Sequence, residues 1–151
     1  MPNFDMEKIL PHKPPMILID DVVKYNAEEQ SLTSKVTIHD KKLFFDKSIN
    51  GVPSSTGIEF MAQTIGCYAY FRNNEEPPKI GFLLGARLMN CAIDKFENGK
   101  TYTIKAKEVF TNNEIVAFDC IIYNEAGEEL ASSTVNTYQG DNVEELLKTN
   151  G

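Results

Sequence analysis

Two histidines, three cysteines and no tryptophan are spread over 151 residues. The histidines, His12 and His39, are too far apart to form a metal box. Cys67, Cys91 and Cys120 contain no C-x-x-C pair, and their number is odd. Neither a zinc site nor a disulfide framework is expected, and no cofactor or metal. Basic residues are in the minority, 15 against 22 acidic ones, for a net charge of −7. A nucleic-acid binder needs a basic face to displace counterions, so that class is excluded. Lys41, Lys42, Lys47, Arg72, Lys79 and Arg87 remain as local charges for an acidic partner. Phosphate loops are missing too. "NGKT" (Asn98 to Thr101) has Asp94 where a P-loop needs glycine, and no G-x-G-x-x-G occurs. "VPSSTG" does not make the G-x-S-x-G of a serine nucleophile. Within the most apolar stretch, Gly51 to Phe71, the run Gly57 to Phe71 is short and interrupted by Glu59 and Gln63, so no membrane span is expected. Met-Pro-Asn-Phe-Asp at the start offers no signal-peptide pattern, and a cytoplasmic location is the expectation.

What is present is ordinary globular material, with 42% hydrophobic and 25% charged residues. One domain over residues 1–151 is expected. "FDMEKIL" predicts a short helix ending before Pro11. Met16–Asn26 predicts a strand, and "SLTSKVTI" a second, with Leu32, Val36 and Ile38 at even spacing. A long loop follows, "HDKKLFFDKSINGVPSS", with an apolar "LFF" inside it, and loops of that length are often functional. A helix is predicted from about Ser55 to Arg72. Beyond "NNEEPP" come Lys79–Ile93, with Gly85 as a bulge, and then three alternating segments. In these, Tyr102, Ile104 and Ala106, then Val116, Phe118 and Cys120, form the buried faces. "DNVEELLK" predicts a capped C-terminal helix. Short turns between strands mean an antiparallel sheet, and one apolar helix beside one sheet means the sheet curls around it. That is an α+β layout, and its free edges predict a dimer.

The central helix carries one carboxylate, Glu59, among Ile58, Phe60, Met61 and Ile65. A helix apolar on all sides is normally buried, and a buried carboxylate loses several kcal/mol of hydration. Two readings compete. "TGIE" (Thr56 to Glu59) fits a capping box. Alternatively, Glu59 does chemistry, with Gln63 one turn on along the same face.

Two stretches resemble a known family. "ILPHKPPMILIDDVV" is similar to the opening of bacterial 3-hydroxyacyl-acyl-carrier-protein dehydratases, and "GIEFMAQTIG" to their central helix. "VPSSTGIEFMAQ" and "GFLLGARLMN" resemble most closely the predicted dehydratases of aryl-polyene and related pigment pathways. The resemblance covers Ile9 to Tyr138. It implies the hotdog fold, a curved antiparallel sheet around one long helix, as a homodimer or as a heterodimer with a second hotdog protein. It implies a substrate carried as a thioester on acyl carrier protein or coenzyme A. A histidine would take the α-proton, Glu59 would help the 3-hydroxyl leave as water, and backbone N–H groups at Ser55 and Gly57 would polarise the thioester carbonyl. Gln63 would touch Glu59 or substrate, and Arg87 a pantetheine phosphate. The best-known members carry His-Phe-Pro after a Phe-Phe pair. Here "FFDKSINGVP" stands instead, with Ser48 at the matching place. The base then falls to His12 or His39, or to a partner subunit, or the chain does not dehydrate. Three functions follow: a dehydratase, a hotdog thioesterase in which Glu59 activates water, and a non-catalytic hotdog subunit completing a partner's site.

Overall fold

The computed structural model describes residues 6–10, 16–72, 82–112 and 114–138. One turn of helix, α1 (Met6–Ile9), comes first. β1 (Asp21–Asn26) and β2 (Ser31–Thr37) form a hairpin. A loop leads to β3 (Gly51–Pro53), a 3-10 turn over Ser54–Thr56, and α2 (Gly57–Arg72). β4 (Phe82–Cys91) and β5 (Lys95–Glu97) follow. Three long strands complete the described chain: β6 (Thr101–Asn112), β7 (Ile115–Tyr123) and β8 (Glu129–Tyr138). Six strands make one antiparallel sheet in the order β1-β2-β6-β7-β8-β4, and β3 pairs with β5 beside it. The expected hotdog arrangement is present.

Alternation builds the core. Leu32, Ser34 and Val36 of β2, Tyr102, Ile104 and Ala106 of β6, and Val116, Phe118, Cys120 and Ile122 of β7 are buried. They meet Phe60, Met61, Thr64, Ile65, Cys67 and Tyr68 of α2, also buried. A helix with so little polar surface has one stable place, against the sheet's inner face. The two polar members satisfy each other: Ser34 Oγ and Thr64 Oγ1 are 2.7 Å apart, and Thr64 also donates to the Phe60 carbonyl. An unpaired hydroxyl there would cost about 1–3 kcal/mol. Phe96 of β5 packs on Phe60 and Tyr102 at ring separations of 5.2 and 5.0 Å, tying the small sheet to the core. A Cβ on Gly51 would stand 2.4 Å from the Phe96 carbonyl oxygen, so β3 reaches β5 only because residue 51 has no side chain.

Several expectations are corrected. The strand predicted over Met16–Asn26 begins only at Asp21. The earlier peptides are taken by side chains: Gln63 Oε1 accepts from the N–H groups of Leu18 and Ile19, and Lys42 Nζ donates to the Leu18 carbonyl. β3 and β5, three residues each, are too short to show alternation and were not foreseen. The bulge in β4 falls between Leu83 and Gly85, as expected, and a second lies between Leu88 and Asn90. Glu59 is exposed rather than buried: within the first turn of α2, Gly57 and Phe60 face the core beside Ile122 and Phe96, and Glu59 lies on the open side of that turn. The segment "PHKPP" with His12, Lys79, and the helix expected at "DNVEELLK" lie outside the described residues.

A candidate active-site cleft at the start of the central helix

The loop between β2 and β3 and the start of α2 enclose an open cleft of about 590 Å³. The loop contributes Phe44, Phe45, Asp46 and Lys47, and the helix start contributes Pro53, Ser55, Thr56 and Glu59. Glu59 lies in the first helical turn, where the helix dipole favours an anion. No hydrogen bond or ion pair holds its carboxylate among the described residues, and the reciprocal bonds of a capping box are not formed.

The loop is held by its own bonds. The Lys42 ammonium donates to the Leu18 carbonyl at 2.8 Å and pairs with Asp20, whose other oxygen accepts from the Thr37 N–H at 2.7 Å. The Phe45 N–H closes a turn on the Lys42 carbonyl at 3.0 Å. Phe44 occupies the third position of that turn with φ 72°, where glycine or asparagine is usual. Such a residue stores about 1–3 kcal/mol of backbone strain. Further on, Asp46 accepts from the Ser48 hydroxyl at 2.7 Å and the Ser48 N–H at 2.9 Å. These bonds, the hydroxyl's first, hold the Asp46 carboxyl below its ordinary range. The Lys95 ammonium donates to the Ile49 carbonyl at 2.6 Å and fastens the far end of the loop.

The expected site residues divide. Glu59 and Ser55 share the cleft. Gly57 is buried beside them, and its N–H turns back to the Ser54 and Ser55 carbonyls of the preceding 3-10 turn. Gln63 points away from Glu59. Its oxygen takes the Leu18 and Ile19 N–H groups at 2.8 and 3.4 Å, and its amide donates to the Met16 carbonyl at 2.6 Å. It is a clamp on the chain before β1. His39 is exposed, its Nδ1 accepting from the Lys41 N–H at 3.2 Å, and it does not line the cleft. Arg87 lies in β4 with its backbone opposite Thr134. His12 lies outside the described residues. Ser48, where the resemblance places a histidine, is bound to Asp46. Of the other lining residues, Lys47 is one of the local charges named for an acidic partner, and Phe44 and Phe45 belong to the apolar "LFF" of the long loop, but the sequence does not assign them, or Asp46, to a site. The signal available was the adjacent aromatic pair in an otherwise polar loop.

Among the described residues no cluster of three or more metal-ligating side chains occurs. No described helix is long and apolar enough to cross a membrane.

Comparison with known proteins places the chain. The family profile of ApeP-like proteins, described as ApeP dehydratase, matches residues 4–148. The chain belongs to this family. It is 27% identical over 107 residues to the 3-hydroxyacyl-[acyl-carrier-protein] dehydratase FabZ of Chlamydia trachomatis, covering 68% of this chain and 69% of that protein. A chain of the dehydratase heterocomplex ApeI:P from Xenorhabdus doucetiae superposes with a TM-score of 0.83 at 24% identity, covering 99% of this chain and all of that one. A hypothetical thioesterase with coenzyme A from Streptococcus pneumoniae gives a TM-score of 0.61 at 12% identity, over 80% and 84% of the two chains. These two likenesses are of fold.

Proposed function

We propose that this member of the ApeP-like dehydratase family acts in the dehydration of 3-hydroxyacyl thioesters to enoyl thioesters, in fatty-acid-like or polyene synthesis, on acyl carrier protein or coenzyme A. The observation that carries the reading is Glu59, a carboxylate without a partner among the described residues, at a helix start, in a cleft with apolar and polar lining. The reaction removes the α-proton and expels the β-hydroxyl. Glu59 serves this step as its neutral carboxylic acid: it gives the proton to the departing oxygen, which leaves as water, Glu59 is left as the carboxylate, and the α,β double bond forms. The remaining task is the α-proton, and the loop that would carry a histidine carries Ser48 bound to Asp46. We assign the base to a second hotdog subunit or to His12. A second subunit closing on the cleft would also supply the desolvation that this chain alone does not give Glu59.

A second reading is favoured by the same serine: a non-catalytic subunit that shapes a partner's site. One experiment separates them. The purified chain, alone and mixed with a second hotdog protein from its operon, is given a 3-hydroxybutyryl thioester, and the absorbance of the conjugated product is followed. Activity only in the mixture that is lost with Glu59→Gln supports dehydration through Glu59 with a borrowed base. Activity alone, abolished by His12→Ala in a folded protein, assigns the base to His12. A mixture indifferent to Glu59→Gln leaves the chain as a structural subunit. Release of free thiol overturns the dehydratase reading.

A further inference from the structure

We propose that Phe44 is a specificity-determining residue, whose ring is held over the cleft to pack against the acyl chain of a bound thioester. The inference rests on reading the cleft as a thioester site. Leu43 and Phe45, on either side, pack against the core, whereas Phe44 is 48% exposed. Among the described residues it makes none of the aromatic contacts that engage Tyr25, Phe60, Tyr68, Phe71 and Phe96. The half of this large apolar side chain left in water gains nothing from burial, and the residue sits on backbone at φ 72°, where a bulky side chain is strained. Both terms argue against phenylalanine at 44 on structural grounds. The turn is nonetheless fixed. Its closing bond at the Lys42 carbonyl, and the lysine's own hold on Leu18 and Asp20, fix the backbone from which the ring projects. Phe44 and Phe45 give the loop side of the cleft an apolar surface, across from Ser55, Thr56 and Glu59 on the helix side. That pairing suits a ligand with a polar reacting end and an apolar tail, and burying carbons against the ring gains affinity in proportion to area.

The test measures binding rather than turnover. Saturated butanoyl- and octanoyl-pantetheine lack the 3-hydroxyl and do not react. Each is titrated calorimetrically into the full chain in the assembly in which it purifies. Phe44→Asn keeps the turn and removes the ring, and Phe44→Tyr keeps the ring. The expected result is that Phe44→Asn melts at or above the wild-type temperature and binds octanoyl-pantetheine about tenfold or more weakly. The loss is smaller for butanoyl-pantetheine, and Phe44→Tyr binds as wild type. Unchanged octanoyl affinity in Phe44→Asn overturns the proposal while leaving the cleft assignment standing. So does a Phe44→Asn protein that melts lower and falls to a smaller mass in light scattering, since the ring is then a subunit contact. Wild type that binds neither thioester removes the cleft reading itself, and the proposal with it.

Discussion

A glutamate stands at each end of α2, Glu59 of the helix itself and Glu108 of the neighbouring β6, and the two are treated in opposite ways. At the start, Glu59 opens into the cleft without a partner among the described residues. At the other end, Glu108 of β6 is largely buried and gathers Tyr68 Oη at 3.4 Å, Thr111 Oγ1 at 3.2 Å, Gln30 Nε2 at 3.5 Å and Arg72 Nε at 3.8 Å. One carboxylate has all its acceptor capacity unspent. The other has spent it on holding a helix end and a strand bulge together, and none of its contacts is short. Charge satisfied inside the fold stabilises geometry; charge left over faces whatever comes from outside. The contrast separates the open end of the helix from its anchored end.

Exchanging the carboxyl at 59 gives the largest effect. Glu59→Gln is expected to lower turnover of the assembled enzyme by about 10²–10⁴-fold, the usual worth of a positioned general acid, while the melting temperature holds. A melting curve and one rate check both halves. An unaltered rate would put Glu59 outside the chemistry and erase the contrast.

One turn further along, the anchored part begins. Gln63→Leu leaves the Leu18 and Ile19 N–H groups and the Met16 carbonyl without their partner. Stability should fall by about 1–3 kcal/mol, read as a lower urea midpoint. If the urea midpoint stays put, water replaces the amide and the clamp is idle.

Glu108→Gln comes third. Its longer bonds and the solvent around Arg72 limit the loss to about 1 kcal/mol, with turnover within about twofold of wild type. A collapse of turnover at this end would show that the far end of the helix also serves the reaction.

The smallest expected effect appears at high pH. Burial pushes the Cys67 thiol, in the middle of α2, from 9.0 up to about 12, and the Cys120 thiol likewise. The neutral thiol is the form the fold favours. Its contribution is therefore complete below pH 9 and is lost as pH rises toward 12, because the unfolded chain ionises first. Cys67→Ala should flatten the alkaline limb of a stability profile. In the native protein at pH 8, exposed Cys91 should react with a thiol reagent and the two buried thiols should not. Labelling of all three without denaturant would show that α2 opens readily.

Much of this fold was legible because alternation is a strong signal. Tyr102, Ile104 and Ala106 announce one face, and the same period in β7 and β2 sets the sheet against the helix. Met16–Asp20 misled because its aliphatic residues suit a strand, while a side chain 45 residues on takes its backbone instead. β3 and β5 were invisible because three residues carry no period. Glu59 stands out in the sequence, but the apolarity of its neighbours describes the helix as a whole, not which side of its first turn faces away from the core. Phe44 escaped because phenylalanine is no turn residue, so nothing local marks its left-handed backbone.

The strand order has a kinetic consequence. β6, β7 and β8 are neighbours in sequence as well as in the sheet, whereas β2 meets β6 and β4 meets β8 only across long intervening stretches. Hairpins close in microseconds, but pairing distant segments must first overcome the entropy of a large loop. The meander is thus the natural template, and β2 and α2 arrive later. The cleft depends on the loop between β2 and α2, so it is among the last parts to take shape. Pulsed hydrogen exchange during refolding should protect the amides of Ile104 and Cys120 before that of Leu18, and the reverse order would contradict it. A nascent or heat-stressed chain would then pass through a stage with a finished β6–β8 meander and no cleft.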